Sequence, residues 1–173
     1  MANCYVQSAS LLPIPKEKLE EAKKIAYDAY LTCKITRACE ELGVTSDKLH
    51  EYGISLATPE AAAETLEDYN VGVEYELTPQ GVWIYGGEFF DSSYAEIIAR
   101  ELIEKLEIEE EFVCTWAVTC SKPRLDSFAG GGFGVRRGIP TVWVDAESEV
   151  RRRLKSKLES QVAGETAGVT ENE

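Results

Sequence analysis

The chain has 173 residues, with 18 Lys and Arg against 31 Asp and Glu for a net charge of −13, a size that suits one compact domain around a single core. A hydrophobic share of 44% and a charged share of 28% are those of a globular protein and exclude fibrous and disordered classes. No apolar run reaches the roughly 20 residues that cross a bilayer, and the segment from Met1 to Val6 has neither a basic start leading into a long apolar stretch nor an Arg-rich leader, so a cytoplasmic protein without membrane association is expected.

In chain order, Cys4 to Leu12 predicts a first strand, which Pro13-Ile14-Pro15 ends. Pro15 can open a helix, and Leu19, Ala22, Ile25, Ala26 and Ala29 recur at three and four residues. A second apolar series, Ile35, Ala38, Cys39 and Leu42, continues to a stop at Gly43. Ser46 to Tyr52 predicts a helical turn, and Thr58-Pro59-Glu60 opens a helix through Tyr69. The period changes to two at Val71, Val73, Tyr75 and Leu77, a strand, and after the turn at Pro79-Gln80-Gly81 a second strand runs from Val82 to Tyr85. Asp91 to Ile108 predicts a helix in which Ser93 and Glu96 match a capping box. Phe112 to Cys120 is apolar or neutral on both faces and is placed at the centre of the sheet. Phe133 to Arg136, a turn at Arg137-Gly138 and Thr141 to Val144 complete the strands, and Asp145 caps a closing helix through Leu158. The expected fold is α+β, with a helical N-terminal half followed by a mixed, mainly antiparallel sheet and one right-handed strand-helix-strand crossover. Residues 1–158 form the domain, and 159–173 form an acidic disordered tail.

Five cysteines, Cys4, Cys33, Cys39, Cys114 and Cys120, are an odd number without C-x-x-C spacing, which argues against a secreted disulfide framework and against a zinc ribbon. No metal, cofactor or catalytic residue is assigned on this basis. Charge is polarised: from Ser121 to Lys157 nine Lys or Arg face four Asp or Glu, a local +5 that leaves −18 on the rest. An acidic body disfavours nonspecific adhesion to nucleic acid.

The segment from Thr119 to Phe133 gathers a thiol, cations, a carboxylate and three successive glycines between two strands, and it supplies the candidate ligand- or partner-binding residues. These are Cys120, Ser121, Lys122, Arg124, Asp126, Gly130, Gly131 and Gly132, joined by Arg136 and Arg137 beyond them. Four readings are open. Lys122 and Arg124 can be solvated or paired while the glycines serve a bulged strand. The amides of Gly130 to Gly132 can form an anion-binding concavity charged by Lys122 and Arg124, although the P-loop order and the dinucleotide strand-to-helix context are missing. Cys120 can be a reactive thiolate, but His50, the single histidine, lies far away in sequence and the spacing to Arg124 is too short for a C-x5-R loop. Asp126, Asp145 and Glu147 can hold Mg²⁺ in a nuclease, yet Asp145 and Glu147 fit equally well as the cap and first turn of a helix.

In this same stretch Trp116, Ala117, Thr119, Cys120, Ser121, Lys122, Pro123, Arg124, Asp126, Phe128 and Gly130 to Gly132 form a pattern that resembles a motif of small uncharacterised phage and bacterial proteins. The resemblance covers about 24 residues, with Ala129 where a further glycine is expected; it implies a phage or mobile-element origin and no particular activity. The functional expectation is a phage-encoded acidic binding protein acting in the host cytoplasm through contacts with a host or phage protein, inhibiting a host system. Its alternatives are a phosphate- or nucleotide-binding protein or enzyme built on Lys122, Arg124 and the glycine run, and a weak nucleic-acid binder using Arg136, Arg137 and the closing helix. Oligomeric state is left open.

Overall fold

The computed structural model describes residues 4–120, 129–153 and 155–156. The expected tail, the end of the closing helix and Ser121, Lys122, Arg124 and Asp126 lie outside the described residues.

The fold is α+β. Strand β1 (Cys4–Pro13) leads through a short 3-10 turn into helix α1 (Leu19–Leu42), a 3-10 helix over Ser46–Tyr52 and helix α2 (Pro59–Thr65). Strands β2 (Glu74–Thr78) and β3 (Gly81–Gly86), helix α3 (Ser92–Lys105), and strands β4 (Phe112–Cys120), β5 (Ala129–Arg136) and β6 (Ile139–Asp145) follow. A last helix starts at 146.

The six strands lie in the order β2-β3-β1-β4-β5-β6, and each neighbouring pair is antiparallel. The crossover through α3 therefore skips a strand. β3 and β4 run parallel to each other with β1 inserted between them, so the parallel partner expected for a mixed sheet is replaced by β1, antiparallel to both. The helical excursion from β1 to β2 does the same around β3. β4 sits in the middle of the sheet as expected, but burial on both faces does not follow: Phe112 and Cys114 are buried at 1% and 0%, whereas Val113 between them is 57% exposed.

The core fills one face of this sheet. Leu12, Val82, Ile84, Phe112 and Phe133 meet Ile25 and Ala29 of α1 and Ile98 and Leu102 of α3 in one apolar cluster. The three-and-four spacing of α1 aims Ala22, Ile25, Ala26, Ala29 and Cys33 inward. Gly43 ends the helix with φ at 65°, a left-handed conformation in which a side chain is strained. The second apolar series of α1 serves a separate small cluster with Leu49, Ile54, Ala62 and Leu66.

Several boundaries and caps differ from the periodicity, among them the end of α3, at Lys105 instead of Ile108, and the start of β5, at Ala129 instead of Phe133. α2 stops at Thr65 instead of Tyr69 because Lys34 Nζ donates to the carbonyls of Leu66 and Glu67, at 3.0 and 3.3 Å, and so serves the helix end. Val71 and Val73 are buried but precede β2, since Gly72 at φ 65° turns the chain between them. In α3 the cap is Asp91, whose Oδ1 accepts from the Ser93 amide at 2.9 Å, while Glu96 of the expected capping box pairs with Arg100 at 2.8 Å and bonds Thr141 of β6.

Candidate functional site

Residues directly opposite one another in antiparallel strands share a face, so the register shows what the helices leave uncovered. Opposite Val113 lies Gly134, and opposite Gly134 lies Val142; Thr115, Gly132 and Val144 form the next row. Ala117 is flanked by Gln7 and Gly130, and further rows run Leu11, Trp83, Glu76 and Ala9, Tyr85, Glu74. Val142 and Val144 are 59% and 41% exposed on this face, Leu11 is 41% exposed and Trp83 38%. No described helix covers it.

The glycine run is strand, not loop. Gly130, Gly131 and Gly132 pair with Ala117, Trp116 and Thr115, and the last two also pair with Asp145 and Val144. Their backbone runs in the ladder between β4 and β6 and does not curl into a concavity. The glycines serve the two faces differently. On the helix side the Trp116 indole lies over Gly131, where a Cβ would stand 2.6 Å from Trp116 Cζ2 and 2.7 Å from the Val144 carbonyl oxygen. No side chain fits there. Around it Trp116 and Trp143 meet edge to face at 6.2 Å, and Trp143 packs on Phe133 at 5.1 Å. On the uncovered side Gly132 and Gly134 present no side chain, which leaves a trough of about 560 Å³ between Val113 and Thr115 on β4 and Val142 and Val144 on β6. The bulge expected near this run sits later, between Gly134 and Arg136.

The other half of the face is aromatic and acidic. Trp83 and Tyr85 stack with centroids 4.5 Å apart, and Glu74 and Glu76 are exposed beside them. Desolvation against the sheet, and then the Glu74 carboxylate bonded to it, raise the Tyr85 phenol above its ordinary range.

Of the other predicted site residues, Arg137 is committed elsewhere. Its guanidinium reaches Glu109 at 2.8 Å and Glu107 at 3.0 Å, while Glu104 accepts from the Gly138 amide at 3.0 Å, tying the β5-β6 turn to the end of α3. The hydrogen bond it donates to Glu109 chiefly raises its pKa. Arg136 is exposed at the same turn. The arginine run of the last helix is paired locally: Arg151 pairs with Glu147 at 2.7 Å, and Arg152 and Arg153 both pair with Glu149, at 2.6 and 2.7 Å. Asp145 caps that helix by accepting from the Ser148 amide at 2.8 Å, a bond that lowers its pKa.

Cys120 lies opposite Cys4 at the end of the β1-β4 ladder. His50 Nδ1 is 2.7 Å from the Asp47 carbonyl oxygen in the 3-10 helix Ser46–Tyr52, a part of the fold that packs on α1 and α2 instead of on the sheet face. Burial pushes the Cys33 thiol up to about 12 and raises Cys114 as well, so these two thiols are poor nucleophiles. Among the described residues no three metal-ligating side chains converge.

Periodicity could not reveal the uncovered face, because apolar alternation on β4 and β6 reads as burial until the helices are placed. Its signal was the asymmetry of β5, where glycine stands at every open-face position from 130 to 134. Comparison with protein-family models, curated proteins and solved structures finds no match. Function is therefore inferred from the chain's own geometry.

Proposed function

We propose that this chain is an acidic protein-binding module whose contact surface is the uncovered face of its sheet. The observation that carries this reading is the trough over Gly132 and Gly134, apolar along both walls and open to solvent. Exposed apolar patches of this kind mark contact sites. Glu74 and Glu76 lie on the same face, and the whole chain carries −13. The partner that fits is a protein with an apolar ridge flanked by Lys or Arg, the ridge seated in the trough and the cations against β2. In keeping with the phage-like motif, that partner is a host protein and the contact inhibits it.

Gly134 offers a clean probe, because a Cβ there meets nothing nearer than the Phe112 carbonyl oxygen at 4.0 Å. Gly134→Val should fill the trough and leave the fold intact. Captured from host lysate, a true partner is retained by the wild-type chain and by Glu20→Ala on α1. It is lost with Gly134→Val and with Val113→Glu, and retained less by Glu74→Gln with Glu76→Gln. A retained protein indifferent to all four face substitutions overturns the reading.

A further inference from the structure

At the β2 end of the open face the side chains are arranged around Trp83. Trp83 and Tyr85 stand two residues apart on β3 and stack with ring planes 30° apart, so the stack runs along the strand. Tyr85 takes one face of the indole. On the other side the next residue of β3 on this face is Gly81, which has no side chain to set against the ring. Trp83 keeps 38% of its surface exposed, an aromatic platform with one neighbour in place and room for another.

Charge selects what that neighbour is. Glu76 stands directly opposite Trp83 in the β2-β3 ladder, and side chains so opposed have Cβ atoms about 5 Å apart. It is exposed, and none of the ion pairs among the described residues uses it. Glu74 beside it is bonded to the Tyr85 phenol, which steadies the second ring of the stack. An aromatic face with a carboxylate at its rim draws a cation, since both attract positive charge. Shape then discriminates between cations. A guanidinium is planar and weakly hydrated, so it can lie flat on the indole and turn its N–H edge to Glu76. A lysine ammonium is a compact, strongly hydrated point charge and gains less from a flat wall.

We propose that Trp83 and Glu76 form a subsite for an arginine side chain of the protein partner, its guanidinium stacked on the indole face that Tyr85 leaves open and donating to the Glu76 carboxylate. This rests on the reading of the open face as a contact surface, and it narrows the partner's cation from Lys or Arg to Arg. β1 and β4 separate β3 from β5, so the subsite lies three strand spacings, about 14 Å across the sheet, from the trough floor. The two contacts can therefore be tested one at a time.

The probes are the peptides Gly-Arg-Gly and Gly-Lys-Gly, blocked at both ends and added to the isotope-labelled full chain at low ionic strength. Binding is read by NMR at the indole N–H signals of Trp83, Trp116 and Trp143, with Trp83→Leu identifying the Trp83 signal by its loss. The arginine peptide should shift that signal and leave the other two in place, and it should bind about three-fold or more tighter than the lysine peptide. Glu76→Gln should weaken arginine binding several-fold, whereas Gly134→Val in the trough should leave it unchanged. No shift at Trp83, equal affinity for the two peptides, or arginine binding indifferent to Glu76→Gln overturns the subsite. Partner capture that still depends on Gly134 would in that case leave the trough standing. An arginine site that persists while the trough substitutions change nothing would instead remove the trough and keep the subsite.

Discussion

Gly131 shows how one residue type can be dictated from a neighbouring strand. The Trp116 indole occupies the space a side chain would need, so Gly131→Ala must displace the ring or bend β5. Overpacking of this kind costs about 1–3 kcal/mol, and urea unfolding of Gly131→Ala should show a loss in that range. Gly134→Ala, three positions away on the opposite face with no contact inside 4.0 Å, should change stability far less. The glycine run was legible in the sequence as something special. What was not legible is that its members have opposite jobs, because the jobs depend on which residue of β4 stands across from each, and pairing register is not written locally. The same limit applies to Arg137. Its cationic character suggested a ligand contact, but Glu107 and Glu109 arrive from a segment nearly thirty residues earlier and claim it. Arg136, next to it, stays exposed.

At the scale of elements, α3 packs its buried side chains into the cluster that lines the sheet. Leu102 is fully buried against the sheet, and Leu102→Ala should cost about 2–5 kcal/mol through lost transfer energy and the cavity left behind. Thermal or urea unfolding monitored by far-UV circular dichroism measures this directly. The last helix depends on charge. Arg152 and then Arg153 hold the Glu149 carboxyl at about 2, below its ordinary 4.5. A depressed carboxylate pKa means the charged form is favoured in the folded helix. Its contribution is complete above about 4.5 and is lost as pH falls through about 2. Carboxyl chemical shifts of Glu149 should titrate in that window, and the Glu149→Gln chain should lose the acid-dependent part of the helical signal. Element boundaries were readable to within a few residues wherever a local signal set them, as at Gly43 and Asp91. They were misread where a distant side chain intervened, as Lys34 does at the end of α2.

For the molecule as a whole, α1 and α3 pack on one face of a six-stranded sheet, and none of the described helices covers the other. The α+β class was legible because helical and strand periods are separated along the chain. The skipped-strand topology was not, since nothing local in β1 says that it will divide β3 from β4. A net charge of −13 leaves an excess of acidic side chains on the molecule, and self-repulsion opposes compactness. Raising ionic strength from low to physiological should therefore increase the melting temperature by a few degrees, read by scanning calorimetry. A melting temperature that falls on adding salt would mean that paired clusters such as Arg137 with Glu107 and Glu109 outweigh that repulsion.

The position of β1 has a consequence for how the chain is made. It precedes both of its partners in the chain, residues 81–86 and 116–120, by more than sixty residues. Until they emerge, its inward residue Leu12 has neither strand beside it, and α1 forms with no sheet to rest on. Loops this long must close before the central contacts are gained, so refolding should be slow for the chain's size, on a scale of ms to s. A nascent chain halted before Phe112 lacks β4 altogether and should remain sensitive to protease along its first strand.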